Sequence, residues 1–208
     1  QELPAFLTLT HPSGLPLLAE ANWSNGWLPS IYQGTVVRPT EPRLLNLDPA
    51  PHLRGAPQER QLELLGELNR DHRLEHPGDT DLDARIASYQ LAARMQTAAK
   101  EAMDIRSESE ATRRLYGIDQ ERTRDYGTRC LIARRLVERG VRFVQVINNG
   151  QSWDQHSNLY TALPDLCSKS DQPVAALIQD LKALGLLDST LVHWGGRSEE
   201  HTLNSSHT

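Results

Sequence analysis

The chain has 208 residues, a length typical of one domain or most of one. Hydrophobic residues make up 38% and charged residues 24%, so a core can form, although a thin one. The net charge of −5 argues against nucleic acid as a partner, since such a surface would be basic. No apolar run approaches the roughly 18 residues of a membrane span, so we expect no span.

The first third of the chain, up to about Pro57, is rich in turn residues and lacks helical periodicity. Residues 3–10 predict a strand, and 11–14 and 25–26 predict turns, because Gly supplies positive φ and Pro fixes its own. We expect irregular chain laid over a sheet. Since the strand follows Gln1 almost directly, we expect a natural start upstream, so the lack of a visible signal peptide says nothing about localisation.

The middle of the chain predicts three helices. The first spans 58–74, with apolar positions at Leu62, Leu65 and Leu68, and ends before Pro77-Gly78. The second follows a cap at 79–81, and its apolar stripe comprises Leu82, Ile86, Tyr89 and Ala93. The third spans about 119–139 and ends at Gly140.

Four arginines and two cysteines stand out in the predicted helices. The arginines of the third helix favour a solvated face over a phosphate or sulfate clamp; they are Arg129, Arg134, Arg135 and Arg139. Cys130 and Cys167 form no C-x-x-C pair, and we predict small buried apolar side chains that leave the redox compartment open.

The last third predicts a parallel βαβ unit at 141–194. Residues 141–147 alternate as a strand, 159–184 have helical periodicity, and 190–194 predict the next strand. Strand, crossover helix and strand imply parallel neighbours, or strands one apart, in one sheet. The fold class is therefore α/β, with a helical middle segment.

The loop after the first of these strands carries a candidate half-site, Asp154 and His156. Ligands bind beyond the carboxyl ends of parallel strands, and residues at i and i+2 of an extended loop point the same way. A carboxylate with an imidazole suits zinc, manganese or another borderline cation. The alternative is that Asp154 caps the following helix beside a free histidine.

Other residues have two interpretations each. Trp23 and Trp27 favour loop anchoring over the lining of a sugar or ester pocket. His193, in the predicted strand, favours a buried core histidine. Gly195-Gly196 suits a turn as well as an anion contact.

Several long motifs carry a family resemblance. They are 21–29 (ANWSNGWLP), 32–35 (YQGT), 46–47 (NL), 84–89 (ARIASY), 93–96 (ARMQ), 116–117 (YG) and 133–144 (ARRLVERGVRFV). Together they resemble the bacterial domain-of-unknown-function family 1501, in the sulfatase and alkaline-phosphatase-like superfamily. The similarity covers residues 1–196, which we interpret as an incomplete domain of that type.

The resemblance implies a metal-dependent hydrolase of sulfate or phosphate esters, with a small-molecule or carbohydrate ester as substrate. It favours Asp154 and His156 as ligands of zinc, calcium or manganese, and it implies export to the periplasm or outside the cell. The family's nucleophile region is expected before Gln1, so we expect this piece to be inactive and to bind no metal tightly. The alternative is a non-catalytic binding or scaffold protein that keeps the fold.

Residues 197–208 turn abruptly polar and resemble the translation of a short-read sequencing adapter. We therefore interpret them as a non-native tail, and His201 and His207 are excluded as metal ligands. Leu203 is the single apolar residue of this tail. Burial of one side chain does not offset the entropy of ordering the segment.

Deletion of 197–208 should leave the melting temperature unchanged, because a tail with nothing to bury adds no packing. Thermal unfolding followed by circular dichroism measures this. A clear drop on deletion would show that the tail belongs to the fold.

Overall fold

The chain forms a mixed α/β structure around a small parallel sheet. The computed structural model describes residues 2–16, 18–29, 32–45, 47–78, 80–148, 152–153 and 157–195. The tail at 197–208 lies outside these residues, as does Asp79 of the predicted cap. No helix in the described ranges has the length and hydropathy that crossing a membrane requires.

The sheet has three parallel strands in the order β2-β1-β3. β1 (Phe6–Leu9) lies in the centre, between β2 (Thr35–Val37) and β3 (Phe143–Val146). Leu7 pairs with Thr35 on one side and with Val144 on the other. The strands predicted at 3–10 and 141–147 are thus confirmed, and they are direct parallel neighbours.

Five α-helices lie in the described part of the chain. They are α1 (Ala56–Glu75), α2 (Thr80–Met103), α3 (Glu110–Leu115), α4 (Arg124–Glu138) and α5 (Leu159–Ala183). The helices predicted from 58, 79 and 159 are confirmed, and α5 continues through Pro164 and Pro173. The helix predicted from 119 begins later, at Arg124. A turn precedes it, in which Gly117 has a φ of 68° and the Thr123 hydroxyl donates to the Gly117 carbonyl at 2.6 Å.

α4 is the central helix, because it is buried on two sides. Ile132 faces a core formed with strand and α2 residues; its members include Leu7, Leu9, Met95, Ala99 and Leu136. The preceding residue, Leu131, faces a second core, which it forms with Tyr116, Cys130 and Ala176. Both side chains are 0% exposed. Full burial of each contributes about 1.5–3 kcal/mol, so α4 joins the sheet layer to α3 and α5.

The apolar stripe predicted for α1 is wrong, whereas the stripe predicted for α2 is confirmed except at Tyr89, since Ile86 is buried and Leu82 and Ala93 are half-buried. The α1 leucines 62, 65 and 68 are 36%, 41% and 55% exposed. In α2, Ile86 is buried but Tyr89 is 64% exposed. The buried face of α2 lies nearer its end, at Met95, Ala99, Ala102 and Met103. Helical periodicity identified both helices, but it did not identify which turns meet a partner.

The solvated arginine face predicted for α4 is wrong for three of its four arginines, and only Arg139 of the four is exposed. Arg129, Arg134 and Arg135 are 1%, 5% and 7% exposed. A buried guanidinium is tolerated only when it is paired. Asp125 and Glu138 are partners on α4 itself, but most of the partners lie far away in sequence. Arg135 pairs with Glu108, and its Nε and Nη2 donate to the carbonyls of Ala102 and Glu101 at 2.8 and 2.6 Å.

Arg134 connects three segments. Its Nη2 lies 2.8 Å from Glu108, its Nη1 lies 2.7 Å from Glu138, and its Nε lies 2.9 Å from Asp180 of α5. The last contact is an ion pair without hydrogen-bond alignment. Burial alone would raise the pKa of Glu108, but Arg135 and Arg134 outweigh it and hold this pKa below its usual value.

The second strand of the predicted βαβ unit is absent from the described residues. Residues 190–195 have no regular structure; they follow a 3₁₀ turn at Leu187–Ser189, and Leu191 is 91% exposed. The composition of 190–194 favours a strand, but strand propensity mostly reflects packing against neighbours. After α5, the amide of Leu186 bonds to the Leu181 carbonyl at 2.8 Å and turns the chain instead.

Replacing Arg134 with Met should lower the free energy of unfolding by about 3 kcal/mol, since the change leaves Asp180 and Glu108 buried with less compensation. The matched control is Arg122→Met, because the Arg122–Asp165 pair at 3.0 Å is exposed. It should cost less than about 1 kcal/mol. Urea denaturation measures both, and equal losses would contradict the assigned role of Arg134.

Candidate functional site at the carboxyl edge of the sheet

The carboxyl ends of all three strands meet at one edge. The Thr10 amide donates to the carbonyl of Val37 at 3.2 Å, and the Ile147 amide donates to that of Leu9 at 2.9 Å. The segments that follow the strands therefore emerge together, with His11 after β1 and Asn148 after β3. This is the edge at which open parallel sheets bind ligands.

The predicted ligands Asp154 and His156 lie outside the described residues, but the residues around them are placed. Trp153 packs edge-on against Trp194, with ring centroids 5.4 Å apart. Its buried Nε1 has no hydrogen-bond partner among the described residues. Asn158, at the other end, adopts a left-handed conformation with φ 56° where α5 begins. The predicted ligands thus lie in sequence between a packed tryptophan and the start of α5.

His11 is a site residue that the sequence analysis missed. The Ser13 amide donates to its Nδ1 at 3.1 Å, and the Ser13 hydroxyl lies 2.7 Å from the same atom. With Nδ1 accepting, the neutral ring carries its proton on Nε2. Burial, and next the nearby Arg129 charge, lower the pKa of His11, which favours this neutral form. His11 can therefore donate a hydrogen bond to an anion.

Arg129 fixes the end of β3. Its Nη1 donates to the Ile147 carbonyl at 2.5 Å, and its Nη2 pairs with Asp125 at 2.7 Å. The guanidinium also lies 5.2 Å from the centre of the Tyr126 ring. The Tyr126 hydroxyl lies near the side chain of Asn148, so two residues of α4 lie against the chain where the loop begins. The local sequence gives no indication of this, because the Arg129–Ile147 contact spans 18 residues.

Two other titratable side chains near this edge, Tyr126 and Cys130, are held uncharged. Burial raises the pKa of Tyr126 well above its ordinary value, and it raises the pKa of Cys130 to about 12. A thiol with that pKa supplies no thiolate near neutral pH, so Cys130 is not a nucleophile. The prediction of a buried apolar cysteine is confirmed for Cys130, whereas Cys167 is half-buried.

The remaining candidates divide clearly. Trp23 is buried, and its carbonyl accepts a hydrogen bond from the Gly34 amide at 2.8 Å. A Cβ atom added to Gly34 would lie only 2.8 Å from the Trp23 Cβ, so the two residues pack closely. Trp23 thus anchors a loop, as predicted. Trp27 is 98% exposed, and anchoring is wrong for it. His193 is exposed rather than buried in a core. Gly195 is described without regular structure, whereas Gly196 lies outside the described residues.

A comparison with known families decides the relationship. The family described as "Protein of unknown function (DUF1501)" matches residues 1–197 of the chain. The chain belongs to this family. No curated protein and no solved structure matches it significantly.

For this DUF1501 protein, the match covers the whole described fold, including β1 to β3, the central helix α4 and the loop with Asp154 and His156. The carboxyl edge is therefore part of the family domain. The resemblance predicted from the sequence motifs is confirmed at the level of the family.

Replacing Arg129 with Met should destabilise the protein by about 2–3 kcal/mol, because it removes charge-assisted hydrogen bonds and leaves the Ile147 carbonyl without this donor. Arg142→Met, at the exposed opposite end of β3, is the control and should change stability by about 0.5 kcal/mol or less. Urea denaturation measures both. A loss at Arg129 no larger than at Arg142 would contradict the anchoring role.

Proposed function

We propose that the protein is a metal-dependent hydrolase of sulfate or phosphate esters, of the sulfatase and alkaline-phosphatase type. Asp154 and His156 would bind one divalent metal, zinc, calcium or manganese, and a small-molecule or carbohydrate ester would be the substrate. One observation carries the proposal: the loop that holds both residues leaves the sheet at its carboxyl edge, next to the buried cation Arg129.

The support begins with how the loop is held. Arg129 and Tyr126 lie against the chain where it begins, and Trp153 packs against Trp194 just before Asp154. Packed flanks restrict the conformations of the residues between them, which lowers the entropy cost of binding a ligand. A catalytic constellation requires such support from its surroundings.

The second support is the electrostatic character of the edge. His11 presents a proton on Nε2, and Arg129 contributes positive charge that Asp125 offsets in part. Such groups favour an anionic ester. His11 would donate a hydrogen bond to a sulfate or phosphate oxygen, and the buried Nε1 of Trp153 is a second donor close to the loop.

The donor chemistry of Asp154 and His156 fits a borderline cation. When bound, a metal of this kind polarises an ester oxygen and stabilises developing charge. Two ligands are fewer than the three or four that zinc sites use. We therefore propose that further ligands and the nucleophile come from outside residues 1–208 and that the chain alone is inactive. From the family resemblance, we also propose that the intact protein is exported.

A non-catalytic binding or scaffold protein is the second candidate, and the state of Arg129 favours it. Its guanidinium already contacts Asp125, Ile147 and the Tyr126 ring, all within the chain. A cation occupied in this way serves the structure first, and its ability to bind a substrate is reduced.

The test uses the protein extended by its flanking reading frame. Asp154→Asn and His156→Ala should each lower the metal content by one equivalent relative to the wild type, measured by elemental analysis, and abolish hydrolysis of a chromogenic sulfate or phosphate ester, with folding kept. Asp188→Asn and His52→Ala, both exposed and on other segments, are matched controls and should retain metal and activity.

A metal content equal to that of the wild type in both site variants would overturn the metal assignment. A wild-type protein that binds metal through these residues and hydrolyses neither ester class would favour the binding or scaffold candidate instead.

A further inference from the structure

A second group of metal-ligating side chains lies at the end of α1, away from the sheet edge. His72, Glu75 and His76 each offer one ligand atom, and these atoms all lie within 4.8 Å of one another. The two imidazole rings have centroids 4.5 Å apart and are inclined at 58°. Residues at i, i+3 and i+4 share one helix face, so the backbone itself brings the three together.

The helix end adds an electrostatic reason for a cation at this position. α1 is 20 residues long, and Glu75 is its last residue. The carbonyl groups of the last turn give a helix C-terminus partial negative charge, which favours cations. The amide of His76 still bonds to the carbonyl of His72 at 3.2 Å, so His76 remains in register with the last turn.

We propose that His72, Glu75 and His76 form a binding site for a divalent transition-metal cation, and that the bound cation is zinc. Two imidazole nitrogens and one carboxylate oxygen suit zinc, copper or nickel. Calcium and magnesium prefer oxygen ligands in larger number, so this donor set disfavours them. All three side chains are exposed, which leaves the remaining coordination positions to water.

The distances allow this binding after a small adjustment. Two atoms that bind one tetrahedral zinc ion at about 2.1 Å lie about 3.4 Å apart. The three ligand atoms lie within 4.8 Å of one another, so these exposed side chains have to approach one another by at most about 1.4 Å, which changes of rotamer allow. The backbone of α1 does not have to move.

The consequence of binding is local. No side chain of α1 is buried, so packing holds this helix weakly. A cation that bridges its last turn and its capping residue binds the folded helix in preference to the unfolded chain. It therefore stabilises α1, and the gain grows with the logarithm of its concentration above the Kd. The site works as a zinc-dependent clamp on a weakly packed helix.

The test is a zinc titration of the 208-residue chain, made without a polyhistidine tag and followed by calorimetry, with cobalt absorption as a second readout. The wild-type chain should bind one equivalent saturably. His72→Gln and His76→Gln, which keep helix propensity, should each weaken binding by about tenfold or more, whereas Glu75→Gln should weaken it less. His52→Ala, which removes another exposed histidine, should have no effect.

A variant with both Asp154→Asn and His156→Ala separates this site from the sheet edge, and it should still bind the one equivalent. Unchanged zinc binding by the His72→Gln/His76→Gln double variant would overturn the proposal. No saturable binding up to about 1 mM free zinc would overturn it as well.

Discussion

A guanidinium can be buried only where carboxylates and carbonyl groups compensate its charge, and this requirement organises the whole structure. α4 buries Arg129, Arg134 and Arg135, and every described partner lies within the chain. Through these pairs, α4 contacts four segments. They are the end of α2, residue Glu108 in the segment before α3, the helix α5, and the carboxyl end of β3. Apolar packing places α4 between two cores, while its arginines determine which segments meet it and in what orientation.

The candidate site depends on the same helix. Arg129 holds the Ile147 carbonyl at the point where the β3–α5 loop begins. The same charge helps to lower the pKa of His11, so it acts on the segment after β1 as well. On the far side of α4, Arg134 pairs with Asp180 of α5, which is the helix that follows the loop. The loop with Asp154 and His156 thus runs between two segments that α4 fixes.

Local pattern predicted the elements well and their partners poorly. The alternation of 141–147 and the periodicity of 159–184 depend on neighbouring residues, so both were predicted correctly. The burial of Arg134 was not predicted, because its partner Asp180 lies 46 positions away in the sequence. A charged helix face has the same sequence pattern whether it is solvated or paired. The prediction of a strand at 190–194 was wrong for a related reason. A strand needs a neighbouring strand to pair with, and local composition does not specify that neighbour. His11 was seen as a turn residue because its role depends on β1 ending beside β3.

The claim that paired arginines of α4 hold the fold together is tested most directly by a double-mutant cycle between Arg134→Met and Asp180→Asn. Asn keeps an acceptor for the Tyr116 hydroxyl, which donates to Asp180 at 3.0 Å, so the cycle isolates the ion pair. Urea denaturation of the wild type, both single variants and the double variant gives the coupling free energy. We expect a coupling free energy of at least about 1 kcal/mol between Arg134 and Asp180. Single-variant losses of unfolding free energy that add to within about 0.5 kcal/mol in the double variant would contradict this role of the arginines.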